Sequence, residues 1–194
     1  MVNNRQSKTI HKPTQSFIHD PKKRNLLIGS TIIILLLLVA AITYGATRPD
    51  PNTPRKVVIE TAKGNIEMEV YPQLMPVTVD NFEKLVKSNF YNGLTFHRVE
   101  EWVIQGGDPQ GDGTGGPGWS IPLETNPKLT NVRGAVAMAR STDPNSAGSQ
   151  FYILKKDARQ LDNKYAVFGK VIKGMDIVDQ IAAGDKMISV KSKW

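Results

Sequence analysis

The sequence predicts a mainly β fold: a closed, eight-stranded antiparallel barrel capped by two α-helices and preceded by one transmembrane helix. Three observations predict it. Short runs rich in Val, Ile, Phe and Tyr recur between residues 57 and 191, separated by Gly- and Pro-bearing loops, as in barrels that leave no strand edge unpaired. Two segments read as helices, at 78–89 and at 175–181. Residues 26–45 form a run without a single charge.

Taken in order, residues 1–25 hold Arg5, Lys8, Lys12, Lys22, Lys23 and Arg24 against the lone acid Asp20, with Pro13 and Pro21. This cytoplasmic basic tail is expected to be disordered. It supplies five of the net +7 charges, so the basic balance reports topology. No nucleic-acid partner is expected, whereas contact of the tail with anionic lipid is.

The run Leu26–Gly45 would span about 30 Å as a helix, the thickness of a hydrocarbon core. No polar face marks it as a core helix. A cleaved signal peptide would show an apolar stretch of roughly 7–15 residues and an Ala-x-Ala site. Neither is present, and the lack of any Cys removes lipoprotein processing. An uncleaved signal anchor is favoured, and secretion after cleavage is the alternative. After the run, Arg48 is the only nearby base and Asp50 follows it. The positive-inside rule then leaves the N-terminus cytoplasmic and the C-terminal domain outside, in a single-pass cell-membrane protein. Residues 46–55, with Pro49, Pro51 and Pro54, form a stiff linker.

The domain at 56–194 opens with a hairpin, Val57–Thr61 and Asn65–Val70 around Ala62-Lys63-Gly64. A helix follows, with Thr78 as N-cap, Val79, Phe82, Leu85 and Val86 on its apolar face and Asn89 or Gly93 closing it. Further strands fall at Leu94–Val99, Val103–Gly106, Ala135–Ala139, Gln150–Leu154, Ala166–Val171 and Met187–Lys191. The second helix, Met175–Ile181, starts after Gly174. About 140 residues bury roughly 65–70% of their unfolded surface, enough for an independent core.

Two segments carry the chemistry. Phe96-His97-Arg98-Val99-Glu100-Glu101-Trp102-Val103-Ile104-Gln105-Gly106-Gly107-Asp108 is followed by Gly148-Ser149-Gln150-Phe151-Tyr152-Ile153. Across the two, one Arg and two Gln alternate with aromatic and aliphatic residues, an arrangement suited to gripping a proline ring and hydrogen-bonding the peptide bond beside it. Together they resemble the signature segments of the cyclophilin-type peptidyl-prolyl cis–trans isomerases, and the resemblance covers roughly residues 56–191.

The resemblance implies eight strands capped by two helices, in agreement with the strand count above, and an isomerase of X-Pro bonds that needs no cofactor and no metal. It makes Arg98 the catalytic donor to the prolyl amide. Gln105 and Gln150 hold the Arg and hydrogen-bond the substrate backbone. It makes Trp102, Val103, Tyr152 and Leu161 the prolyl pocket, with Tyr165 at the rim, and Ala139 with the backbone of Arg140 the edge along which the substrate lies extended. Without the resemblance most of the pocket residues read as core, and each Gln as a structural amide. Thr114 and its neighbouring glycines would border a second groove for residues before the proline.

Other chemistries fit less well. His97 is the only His outside the tail and reads as a packed residue, so hydrolase triads and zinc sites lack their components. The Gly-rich segment 106–116 lacks the Gly-Lys-Ser/Thr ending of a phosphate loop. It also has Trp119 where a calcium loop starting at Asp108 needs Glu. Tight turns are its expected use.

The chain departs from the family pattern in places. The stretch between Arg98 and Gln105 is one residue shorter than in well-known members and carries Glu100-Glu101; segment 141–147 is one residue longer. Gln160 stands where many members have Trp, and Tyr165 where many have His. The missing Trp implies weak cyclosporin binding. A monomer acting on proline-containing polypeptides outside the cytoplasm is expected. The competing functions are a proline-peptide binding module or chaperone with incidental turnover, and, with less support, an extracellular scaffold.

Overall fold

The computed structural model describes residues 21–46 and 53–193. The expected disordered tail, apart from its last residues, and most of the Pro-rich linker lie outside the described residues. Two compact units divide at residues 48 and 49.

In the first unit, helix α1 runs over Pro21–Ala46, 26 residues. Its described large apolar side chains, from Ile28 to Val39, are exposed. Among the described residues no helix is long and apolar enough to cross a membrane. The run 26–45, expected to be a helix, lies wholly within α1.

The second unit holds all the strands. β1 (Arg55–Thr61) and β2 (Gly64–Val70) form a hairpin with Thr61 opposite Gly64. Helix α2 (Pro76–Lys87) follows, then β3 (Arg98–Val99), β4 (Val103–Gly106), β5 (Ala135–Met138), β6 (Phe151–Leu154), β7 (Val167–Lys173), helix α3 (Met175–Gln180) and β8 (Ser189–Ser192). They make one eight-stranded curled sheet in the order β3-β4-β6-β5-β7-β2-β1-β8, every pair antiparallel.

The expected closed barrel needs a ladder between β3 and β8, and among the described residues none forms. The strand expected over Leu94–Val99 pairs with β4 only at its last two residues. Before them, Thr95 makes a single bridge to Lys186, and the Phe96 and Met187 amides donate to Asp185 and Leu94 at 2.9 and 2.8 Å.

Alternation along the strands splits the sheet into two faces. Ile104, Val136, Met138, Phe151, Ile153 and Phe168 point to the main core, with Phe82, Leu85 and Val86 of α2 and Val178 of α3. Phe82 anchors an aromatic cluster with Tyr91, Phe151 and Phe168 at centroid distances of 5.0–5.6 Å. Val103, Ala135, Ala137, Tyr152, Leu154 and Val167 point the other way and form a smaller cluster with Trp102, Leu161 and Tyr165 at its edge. That second face carries the site.

Helix α2 corrects the expected N-cap. Thr78 lies inside the helix, Met75 is the N-cap residue without a side-chain bond, and Pro76 stands in the first turn, where its missing N–H costs nothing. The open amides of Val77 and Thr78 are instead met by the Glu124 carboxylate at 3.2 and 2.8 Å. At the other end Asn89 takes φ +57°, as expected of a residue tolerated in the left-handed region.

Candidate active site

Strand register builds the site. Arg98 stands opposite Gln105, Gln105 opposite Tyr152, and Tyr152 opposite Ala137. Facing residues on adjacent strands bring their Cβ atoms within about 5.5 Å, so three ladders line up a guanidinium, an amide and an aromatic ring on one face.

A hydrogen-bond chain runs through this row. Arg98 Nη1 donates to Gln105 Oε1 at 3.0 Å, and Gln105 Nε2 donates to Gln150 Oε1 at 2.9 Å. Gln150 Nε2 donates in turn to the carbonyls of Gly113 and Gly115, each at 2.9 Å. The loop that carries them is braced by Asp108, buried, which accepts the amides of Gln110, Asp112 and Gly113 at 2.8, 3.1 and 2.5 Å. Burial pushes the Asp108 carboxyl up, but these backbone N–H groups outweigh it and hold the carboxyl below its usual range. The Gly-rich segment thus serves as tight turns bracing the amide chain. Gly107 shows why glycine is needed: at φ +87° a Cβ would lie 2.5 Å from the Ser149 carbonyl.

Arg98, Trp102, Val103, Gln105, Ala139, Arg140, Tyr152, Leu161 and Tyr165 line one hollow of about 180 Å³. This is below the ~300–1,000 Å³ of pockets for drug-sized ligands, so it suits one side chain. Every expected pocket and rim residue is there. Gln150 is not in its wall and reaches it through Gln105. A wider groove of about 650 Å³ shares Gln105, Ala139 and Arg140 with the hollow and is lined further by Gly113–Ser120 and Gln150, which places Thr114 and its glycines as expected.

Tyr152 is fixed at both ends of its side chain. Its ring meets Tyr165 edge-on at 5.9 Å, and its hydroxyl donates to Asn131 Oδ1 at 2.8 Å. Burial raises its hydroxyl pKa, so it remains a neutral donor. His97 makes no hydrogen bond from either ring nitrogen, and burial lowers its pKa, in keeping with a packed neutral ring. Among the described residues no group of His, Cys, Asp and Glu is arranged to hold a metal ion.

Three residues of the site escape a reading from sequence. Asn131 holds Tyr152 and is itself tied to Asp162 Oδ1 through its amide at 2.6 Å. Arg140, expected to act through its backbone, also donates from Nε and Nη2 to the Lys164 carbonyl at 3.0 and 2.9 Å and lies 4.6 Å over the Tyr165 ring. Glu100 accepts from Arg98 Nε and from Trp102 Nε1, both at 2.7 Å. Its signal was the shortened Arg98–Gln105 stretch, which leaves a two-residue turn, Glu101-Trp102, closed by the Glu100 amide on the Val103 carbonyl at 2.8 Å.

Comparison with known proteins matches this geometry. The model of the family "Cyclophilin type peptidyl-prolyl cis-trans isomerase/CLD" matches residues 56–193. A peptidyl-prolyl cis-trans isomerase of Acinetobacter baylyi is 48% identical over 136 residues, 65% of this chain and 71% of the relative. Peptidyl-prolyl cis-trans isomerase B of Bacillus subtilis is 46% identical over 129 residues, 65% of this chain and 89% of the relative. The crystal structure of a Cryptosporidium parvum cyclophilin-type isomerase superposes with TM-score 0.69 at 29% identity, covering 73% of this chain and 99% of that one. A second crystal structure of that protein was determined in the presence of the dipeptide Ala-Pro. With the family model spanning the whole sheet and both of its helices, the chain belongs to the cyclophilin-type peptidyl-prolyl cis–trans isomerases.

Proposed function

We propose that this isomerase acts on X-Pro bonds of extracytoplasmic proteins as they fold, with Arg98 as the donor that lowers the rotation barrier. Resonance sets that barrier at about 18–20 kcal/mol, and the free X-Pro bond interconverts over tens of seconds. In the twisted state the prolyl nitrogen becomes pyramidal and regains a lone pair. A fixed guanidinium favours that state over the planar one, more so where apolar walls exclude water. Lowering the barrier by about 6 kcal/mol brings tens of seconds to roughly milliseconds.

The observation that carries this reading is how the guanidinium is held. Nε is engaged by Glu100 and Nη1 by Gln105, while among the described residues Nη2 has no hydrogen-bond partner, and Arg98 lines the hollow. Trp102, Val103, Tyr152 and Leu161 would hold the pyrrolidine ring, and Ala139 with the Arg140 backbone the adjoining chain. A protease-coupled assay on an X-Pro-Phe peptide tests it. With the full-length chain, Arg98→Ala should lower kcat/KM at least tenfold with unchanged circular dichroism. Full activity in the variant would refute the donor role.

The extracytoplasmic site of action rests on α1. Its charge-free sequence from 26 to 45, its exposed apolar side chains and the bases preceding it support a signal anchor with the isomerase unit outside. We also expect a monomer that binds cyclosporin weakly, because Gln160 is exposed and takes no part in the hollow's wall. A low-nanomolar complex by calorimetry would count against the last point.

A further inference from the structure

Glu100 is the one acid in direct contact with Arg98 among the described residues, and the reading above uses only its engagement of Nε, without giving it a role of its own. Its place follows from the turn. Because the chain reverses at Glu101-Trp102, between the hydrogen-bonded Glu100 and Val103, Glu100 falls two residues beyond Arg98 along the extended chain, on the same face. Its two carboxylate oxygens are then divided: one accepts from Arg98 Nε and the other from Trp102 Nε1, at 2.7 Å each. The guanidinium carbon lies 5.5 Å from the Trp102 ring centre.

A guanidinium is a rigid planar fork. Held only by Nη1 on Gln105, it can swing about that bond. A second fixed point at Nε sets its plane. The same carboxylate fixes the indole that forms a wall of the hollow, so donor and wall share one anchor. The backbone of the turn is fastened separately, by the Glu100 amide on the Val103 carbonyl and the Lys155 amide on the Trp102 carbonyl, each at 2.8 Å. Removing the Glu100 side chain therefore leaves the turn tied down.

We propose that Glu100 is a positioning residue for the isomerisation: its carboxylate locks the Arg98 guanidinium against the Trp102 wall, leaving Nη2 as the unengaged donor. The proposal rests on the donor role of Arg98. It assigns to the shortened stretch a gain in alignment of the donor.

Exchange kinetics of an X-Pro peptide separate the outcomes, using full-length Glu100→Ala, Glu100→Gln, Arg98→Ala and the Arg98→Ala/Glu100→Ala double variant. Glu100→Ala is expected to lose roughly tenfold in kcat, as a swung donor would, with KM changed less than about threefold, since the apolar grip remains. Glu100→Gln, whose carbonyl still accepts from Nε, is expected to recover to within about threefold of wild type. In the Arg98→Ala background the Glu100→Ala change should cost nothing further. Wild-type kcat in Glu100→Ala beside an impaired Arg98→Ala overturns the positioning role alone. A loss of the same size in the Arg98→Ala background also overturns it, because the residue would then act through the fold. Full activity of Arg98→Ala overturns the donor reading itself.

Discussion

At the scale of the residue, the proposed mechanism depends on orientation, and charge pairing contributes little to stability. The Arg98 and Glu100 side chains are 42% and 44% exposed, and such surface pairs stabilise a fold little. What the pair supplies in that mechanism is direction. The Arg98 guanidinium, followed by the Trp102 N–H, holds the Glu100 carboxyl below its usual range. The interaction is therefore complete above the ordinary Glu value of about 4.3 and is lost as pH falls through the lower folded value. A pH profile of kcat should show no contribution from this pair between about pH 8 and 5, and a fall only below the ordinary Glu value that is absent in Glu100→Gln. The Glu101 carboxyl is also held below its usual range, but by Lys156, so Glu101→Gln should keep the wild-type profile. On the opposite rim, Arg140 braces Tyr165. Arg140→Ala should raise KM by about three- to tenfold with kcat nearly unchanged, since it frees a pocket wall and leaves the donor alone.

At the scale of the element, the site is a property of register. A one-residue slip between β4 and β6 would turn Gln105 toward the core and Ile104 toward substrate. Gly107, just after β4, helps fix that register. Gly107→Ala should destabilise the domain by about 2–3 kcal/mol in urea titrations, through contact with the Ser149 carbonyl and strain at φ +87°. The start of α2 offers a milder test. Glu124→Ala uncaps Val77 and Thr78 and should cost about 1 kcal/mol. These two elements also show what a sequence reveals and what it hides. β4 was legible to the residue because Val103-Ile104 is a β-branched pair and the run ends in Gly106-Gly107. The cap of α2 was hidden because it comes from Glu124, 46 residues on in the chain. For the same reason the pocket residues could be named from the motif, while Asn131 and the side-chain roles of Arg140 and Glu100, which depend on loop paths, could not.

At the scale of the whole molecule, a curled sheet presents one face to the core and the other to the hollow. In the proposed mechanism the packed sheet keeps the amide chain from Gly113 to Arg98 aligned before substrate arrives, and preorganisation of this kind is where enzymes gain most. Helix α1 belongs to a separate compact unit. If it anchors the chain as proposed, the protein should stay with membranes after alkaline carbonate extraction, and added protease should remove the isomerase unit from intact spheroplasts. Release by carbonate would remove the anchor from the account. The most direct test of the central claim is exchange spectroscopy on an X-Pro peptide saturated with the full-length Arg98→Ala protein. Binding is expected within a few-fold of wild type, because the apolar hollow remains, with the cis–trans exchange rate on the protein reduced at least tenfold. Wild-type exchange at saturation would contradict it and move the catalytic donor away from Arg98.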